Sequence, residues 1–134
     1  MSEQDNLKVV ETLYAAFLKG DGPGIMALLD ENIDWKFVAN KEDVPFVGHY
    51  RGHEGMMQFF GTVAQTAQPL VFESDEMFAA GDKVVSLGHE RVRVLANDRI
   101  FETEWVHVFT IQNGKIVRLR EYYDTASIAK AFNG

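Results

Sequence analysis

The chain has 134 residues and a mass of 15.1 kDa, which sets one domain, 1–134, as the expectation. Hydrophobic residues at 46% and charged residues at 25% describe an ordinary globular chain, large enough to bury a core without metals or disulfides. A formal charge of -7 argues against a nucleic-acid or anionic-membrane surface, which needs clustered Lys and Arg, and the lack of cysteine removes disulfide and thiol chemistry.

The N-terminal run MSEQDNLK is polar, without the basic start and apolar stretch of a signal peptide. No apolar run approaches a membrane-spanning length. The expectation is a soluble cytoplasmic monomer or small oligomer.

Ser2 with Asp5 resembles a capping box, with Asp in place of the preferred Glu or Gln. Leu7, Val10, Leu13, Tyr14, Phe17 and Leu18 recur at helical spacing, and Gly20 closes that helix. Pro23 suits the first turn of a short second helix carrying Ile25, Leu28 and Leu29 inward. Over 32–38 the period changes to two, with Ile33, Trp35 and Phe37 alternating with Asp34 and Lys36, which predicts a half-buried strand. Residues 39–48 are polar and broken by Pro45, and read as a loop that could cover something. A third helix follows Gly52, with Met56, Phe59, Phe60, Val63 and Ala67 inward and Pro69 ending it. Strands are then expected at about 70–79, 83–95, 99–111 and 115–123, before a short helix capped by Asp124. Helices first and a strand meander afterwards predict an α+β fold, the helices packed on one face of a curved sheet.

The hairpin over 99–124 carries the longest pattern, and its register decides what shares a face. A two-residue loop, Asn113-Gly114, puts His107 opposite Arg120. A three-residue loop, Gln112-Asn113-Gly114, puts His107 opposite Leu119 and Trp105 opposite Glu121. The choices differ by one residue, which moves a strand's side chains to the other face. The three-residue loop is preferred here. It gathers Phe101, Trp105, Phe109, Ile111, Val117, Leu119 and Tyr123 on one face and leaves Glu102, Glu104, Thr110, Arg118 and Arg120 on the other. His107 then lies diagonal to Glu121, within side-chain reach. With the two-residue loop, Glu121 would leave the His107 face.

An imidazole and a carboxylate on an apolar sheet face can serve as a base and its orienter, or as a structural pair holding two strands in register. Tyr14, on the stripe that must pack over the sheet, can offer its hydroxyl to a ligand oxygen or be core with a polar tip. Trp35, Phe37, Trp105, Leu119 and Tyr123 are the candidate apolar walls. His49 and His53 find no third ligand at a convincing spacing, so no metal site is expected. Of His89 and Glu90, alternation lets only one face inward, and neither is favoured. Neither a phosphate-binding glycine loop nor a Ser/Cys nucleophile motif is present.

The ordered set LYAAFLKGD, IDWKF, YRGHEGMMQFF and WVHVFTIQNGKIVRLREYYD resembles the SnoaL-like and ketosteroid-isomerase-related branch of the nuclear transport factor 2-like superfamily, over nearly the whole chain. The resemblance implies a cone of three helices wrapped by a curved, mostly antiparallel sheet, with a pocket between them and dimerisation through the outer sheet face. Ketosteroid isomerases place a tyrosine on the first helix as an oxyanion donor, and Tyr14 matches it; His107 takes the position of the second donor. Their catalytic aspartate falls near Phe37, where this chain has no carboxylate. SnoaL-type polyketide cyclases carry a carboxylate on the last strand and a histidine on the strand before. Glu121 and His107 are similar in placement, with Glu replacing Asp.

The leading expectation is therefore a proton-transfer enzyme, isomerase-like or cyclase-like, acting without a cofactor on a hydrophobic carbonyl compound. Tyr14, His107 and Glu121 are its catalytic candidates. Two rivals stand beside it. One is a non-catalytic protein that binds a hydrophobic small molecule. The other is a homodimeric interaction module with Val106, Val108, Ile116 and Tyr122 at a sheet-to-sheet interface.

Overall fold

The structure, a computed structural model, describes residues 2–40 and 44–133. The predicted stripe forms helix α1 (Glu3–Lys19). Its capping box closes in both directions: the Ser2 hydroxyl accepts from the Asp5 amide at 3.0 Å, and the Asp5 carboxylate accepts from the Ser2 amide at 3.1 Å. Asp21 caps helix α2 (Gly22–Leu28) through the Gly24 amide. Strand β1 (Leu29–Val38) follows directly, starting earlier than the alternation predicts.

The polar segment expected as a loop over 39–48 is one at 39–40 and 44–47, with Gly48 already in a strand; 41–43 lie outside the described residues. Val44, Phe46 and Val47 bury themselves from it. Strand β2 (Gly48–Arg51) was not expected, since four residues without an apolar alternation leave no period to read. Helix α3 (Gly52–Thr66) ends before Pro69, which lies instead in strand β3 (Ala67–Ala80). That strand forms one edge of the sheet, where a residue without an amide proton is tolerated. Strands β4 (Lys83–Val94), β5 (Ile100–Gln112) and β6 (Lys115–Tyr123) complete the meander, and helix α4 (Thr125–Asn133) closes it. The Asp124 carboxylate accepts from the Ser127 amide at 3.3 Å, the capping role expected of it.

The sheet is curved and unclosed, in the order β2-β1-β6-β5-β4-β3. Among the described residues, only β1 and β6 run parallel; every other pair is antiparallel. The core lies between the concave face and the helices. Among the described residues, no helix is long and apolar enough to cross a membrane.

The register of β5 and β6 differs from both alternatives. The loop has two residues, and Gln112 pairs with Lys115. Asn113 and Gly114 have φ of 52° and 76°, the left-handed pair that a type I′ turn requires. The preferred three-residue loop is therefore wrong. Beyond Ile111↔Ile116 the register shifts, because Val117 is an extra residue on β6, a β-bulge, and Thr110 pairs with Arg118. The bulge reverses the alternation, so Ile116 and Leu119 are both fully buried. As a result His107 lies directly opposite Glu121, and Trp105 opposite Tyr123. Ile116 thus belongs to the core and not to an outer interface, while Val117 is only half-buried. The outer charges also pair differently from expectation: Arg120 meets Asp34 of β1 at 3.2 Å, and Arg91 of β4 meets Glu102 at 3.3 Å.

Candidate functional site

His107 and Glu121 are 3% and 4% exposed, on the concave faces of β5 and β6. Polar groups so placed need partners, since an orphaned buried group costs on the order of 1–3 kcal/mol. Imidazole Nε2 lies 3.3 Å from Glu121 Oε1 and 2.9 Å from the Tyr123 hydroxyl. The Tyr14 hydroxyl lies 2.8 Å from Nδ1. Glu121 Oε2 accepts from the Trp35 indole N–H at 2.8 Å, and Tyr123 donates to Oε1 at 3.3 Å.

These partners set the tautomer. A carboxylate only accepts, so Nε2 carries the proton and Nδ1 accepts from Tyr14. The donors then run one way, from Tyr14 through His107 and Tyr123 to Glu121. Behind Tyr14, the Ser86 and Ser74 hydroxyls lie 2.8 Å apart.

Burial pushes the Tyr14 hydroxyl well above its usual range, opposed by the Ser86 hydrogen bond and reinforced by Glu121. Burial does the same to Tyr123, with Glu121 and Glu90 adding to it. Both tyrosines therefore remain protonated donors at neutral pH.

The network opens on a cavity holding about 80 Å³ of room for water centres, enough for a small polar head group. Tyr14, Trp35, Phe37, His107, Leu119, Glu121 and Tyr123 all line it, so most of the predicted site converges there. Phe37 stacks on Tyr123 with centroids 4.7 Å apart. Trp105 is not among the lining residues; it stands beside His107, the rings 9° from parallel and 4.0 Å apart, with Phe72 near both rings at 5.0 Å from the indole and 6.3 Å from the imidazole. The arrangement fixes the imidazole plane without placing the indole in the cavity.

Sequence reasoning missed Glu90. It lines the cavity from β4, and burial, then the negative charge of Glu121, raises its pKa to about 8 against a Tyr123 hydrogen bond that lowers it. The alternation of buried Val92 and Val94 was the available signal, because it sends Glu90 inward and His89 outward. Phe46, from the covering loop, and Phe59, Phe60 and Phe72 complete the walls.

The remaining histidines lie elsewhere. His49 pairs with Asp34, and His53 Nε2 is 2.9 Å from the Leu29 carbonyl. On the outer face, His89 joins Asp75 and Glu73, with ligand-capable atoms within 4.8 Å of one another. That group is solvent-exposed and apart from the cavity.

The sequence pattern of the SnoaL-like domain matches residues 10–119. Among solved structures, a nuclear transport factor 2-like protein from Burkholderia xenovorans LB400 is 32% identical, with 99% of each chain covered and a TM-score of 0.90. TerC, co-crystallised with polyporic acid, is 22% identical over 97% of this chain and 99% of that one, with a TM-score of 0.85. A candidate polyketide cyclase from Pseudomonas putida KT2440 is 21% identical over 92% and 94%, with a TM-score of 0.75. The last two carry the likeness of fold alone. No curated protein sequence matches this chain.

Proposed function

From a chain that belongs to the SnoaL-like domain family, we propose an enzyme of the isomerase or cyclase type that moves a proton on a neutral, hydrophobic carbonyl compound. The observation that carries the reading is the direct opposition of His107 and Glu121 at an apolar cavity, with a tyrosine hydroxyl on each imidazole nitrogen. Glu121 takes the proton from the carbon beside the carbonyl. His107 holds and tunes that carboxylate through Nε2–H. Tyr14 turns its hydroxyl from Nδ1 to the developing oxyanion, an interaction that can be worth about 3 kcal/mol in the transition state. The carboxylate, imidazole and hydroxyl supply acceptor, orienter and donor, so the step calls for no cofactor. Trp35, Phe37, Leu119 and Tyr123 hold the apolar body, and Trp105 acts through His107.

Charge selects the ligand. Glu90 and Glu121 face the cavity, and among the described residues its lining holds neither Lys nor Arg. Polyporic acid, found with TerC, is an acid; an anion of that kind finds no cation among the described lining residues.

The test is proton–deuterium exchange beside the carbonyl of simple apolar ketones in D2O, followed by NMR. Exchange should be accelerated by the wild-type protein and lost in Glu121→Gln and His107→Ala. If both variants exchange at the wild-type rate, the assignment is wrong.

One observation favours a non-catalytic binding role: both oxygens of Glu121 already accept hydrogen bonds. That reading expects ketone affinity to survive Glu121→Gln with no exchange in any variant. A homodimer through the outer sheet face, with half-buried Val106 and Val108 and exposed Tyr122, is compatible with either reading. Sedimentation at micromolar concentration tests it, and a clean monomer would remove it.

A further inference from the structure

Phe17 of α1 and Phe60 of α3 face each other with ring centroids 6.2 Å apart, and both rings line two spaces. Inward lies the small cavity of His107 and Glu121. Outward lies an open-sided groove between α1, α2 and α3 with about 780 Å³ of room for water centres, against about 80 Å³ inside. Val63, Ala67 and Pro69 also border both, so the two spaces lie back to back, separated by a thin wall that the Phe17–Phe60 contact closes.

The groove beyond the wall is apolar where a surface would be expected to be polar. Leu18 and Met57 are 60% and 59% exposed on its two sides, and Met26 lies at its floor. Among the described residues, Lys19 is its only charged side chain. Scattered exposed hydrophobics need no explanation, but apolar side chains gathered in a concavity that shares its wall with a polar-headed cavity do. Methionine side chains adapt to flexible chains more readily than to one rigid shape.

We propose that the ligand is a neutral amphiphile. Its carbonyl head occupies the cavity, and an aliphatic chain, parting the Phe17 and Phe60 rings as it enters, lies in the groove against Leu18, Met26 and Met57. The volumes make the division: the inner space holds a head and little more, while the groove offers no polar partner to a second functional group. The inference rests on the carbonyl head proposed above, but not on turnover.

A homologous series of methyl ketones, from hexanone to undecanone, titrated by quenching of tryptophan fluorescence or by calorimetry, tests it. Affinity should rise roughly fourfold per added methylene, the ratio for burying about 0.8 kcal/mol of apolar surface each time, and level off once the groove is filled. Met57→Asp, at an exposed helix position, should flatten that slope. Leu18→Asp, from the opposite side, should do the same. Affinity independent of chain length, a slope untouched by both variants, or no ketone binding would overturn the proposal. A flat slope with self-association that Met57→Asp abolishes would also overturn it and give the groove to a second copy. A slope without proton exchange sinks only the proton-transfer reading. Exchange without a slope sinks only the groove.

Discussion

His107 and Glu121 stand directly opposite each other because Val117 is one residue too many on β6. Without the bulge, the two-residue turn would set Arg120 against His107; with it, the carboxylate returns to the concave face. Glu121 is therefore the acceptor for Trp35, His107 and Tyr123 together. Glu121→Ala leaves those donors buried without an acceptor and should destabilise the fold by about 3–5 kcal/mol. Glu121→Gln keeps the shape and one acceptor oxygen, and should cost about 1–3 kcal/mol. Urea unfolding measures both. Equal losses would mean that Glu121 does not gather the network. Proton exchange on ketones should fall by about 10²–10⁴ in each variant.

Tyr14 fixes the other side of the imidazole. Tyr14→Phe removes the 2.8 Å hydrogen bond to Nδ1 and should cost about 1 kcal/mol in stability. In nitrogen NMR of the imidazole, Nε2 should stay protonated, held by the carboxylate, while the Nδ1 resonance moves toward that of a nitrogen without a donor. A switch to the Nδ1–H tautomer in the wild-type protein would contradict the direction of the network. Exchange should slow by about 10²–10³, the scale for losing one oxyanion donor.

Glu90 gives the cavity a pH dependence. Its folded pKa is raised from 4.5 to about 8, chiefly by burial and then by Glu121, against a smaller lowering by Tyr123. A raised carboxyl pKa means that the folded state holds its proton while the unfolded state releases it. Below pH 4.5 both states are protonated and nothing is lost. Between 4.5 and about 8 stability falls as pH rises, and above 8 the full cost remains, a few kcal/mol at most. Glu90→Gln should therefore raise the melting temperature at pH 9 relative to wild type, with the difference closing toward pH 4. A difference independent of pH would show that Glu90 does not titrate in this range.

The helices and most strands were legible because apolar spacing and the caps Ser2 and Asp124 act over a few residues. The hairpin register was not. Asn113-Gly114 announced the tight turn, but the preference for gathering Val117 with Leu119 overruled it; the buried pair was Ile116 and Leu119, three apart, which a regular strand cannot supply. That spacing was the trace of the bulge. His107 and Glu121 were still placed on one face, by a register that was itself wrong. Glu90 stayed hidden because a single charged residue on a strand says nothing of its direction until its neighbours' burial is known. The groove behind Phe17 and Phe60 depends on how two distant helices meet, which no local pattern encodes.

Gly88 shows how the fold supports the site from behind. It pairs with Trp105 across β4 and β5, and a side-chain carbon built on it would lie 2.3 Å from the indole and 2.3 Å from the Glu73 carbonyl oxygen. The backbone oxygen cannot swing away, so the indole would have to move. The indole is the surface on which the His107 ring rests, 4.0 Å away. Gly88→Ala should destabilise the protein by about 3 kcal/mol, at the upper end for overpacking, and weaken the near-ultraviolet circular dichroism of the buried tryptophan. It should also slow proton exchange although Gly88 touches no ligand. Adding Trp105→Leu should recover part of the stability, since the clash and its relief are coupled, but not the exchange, because the imidazole has lost its support. Additive losses in the double variant would show that Gly88 and Trp105 do not constrain each other.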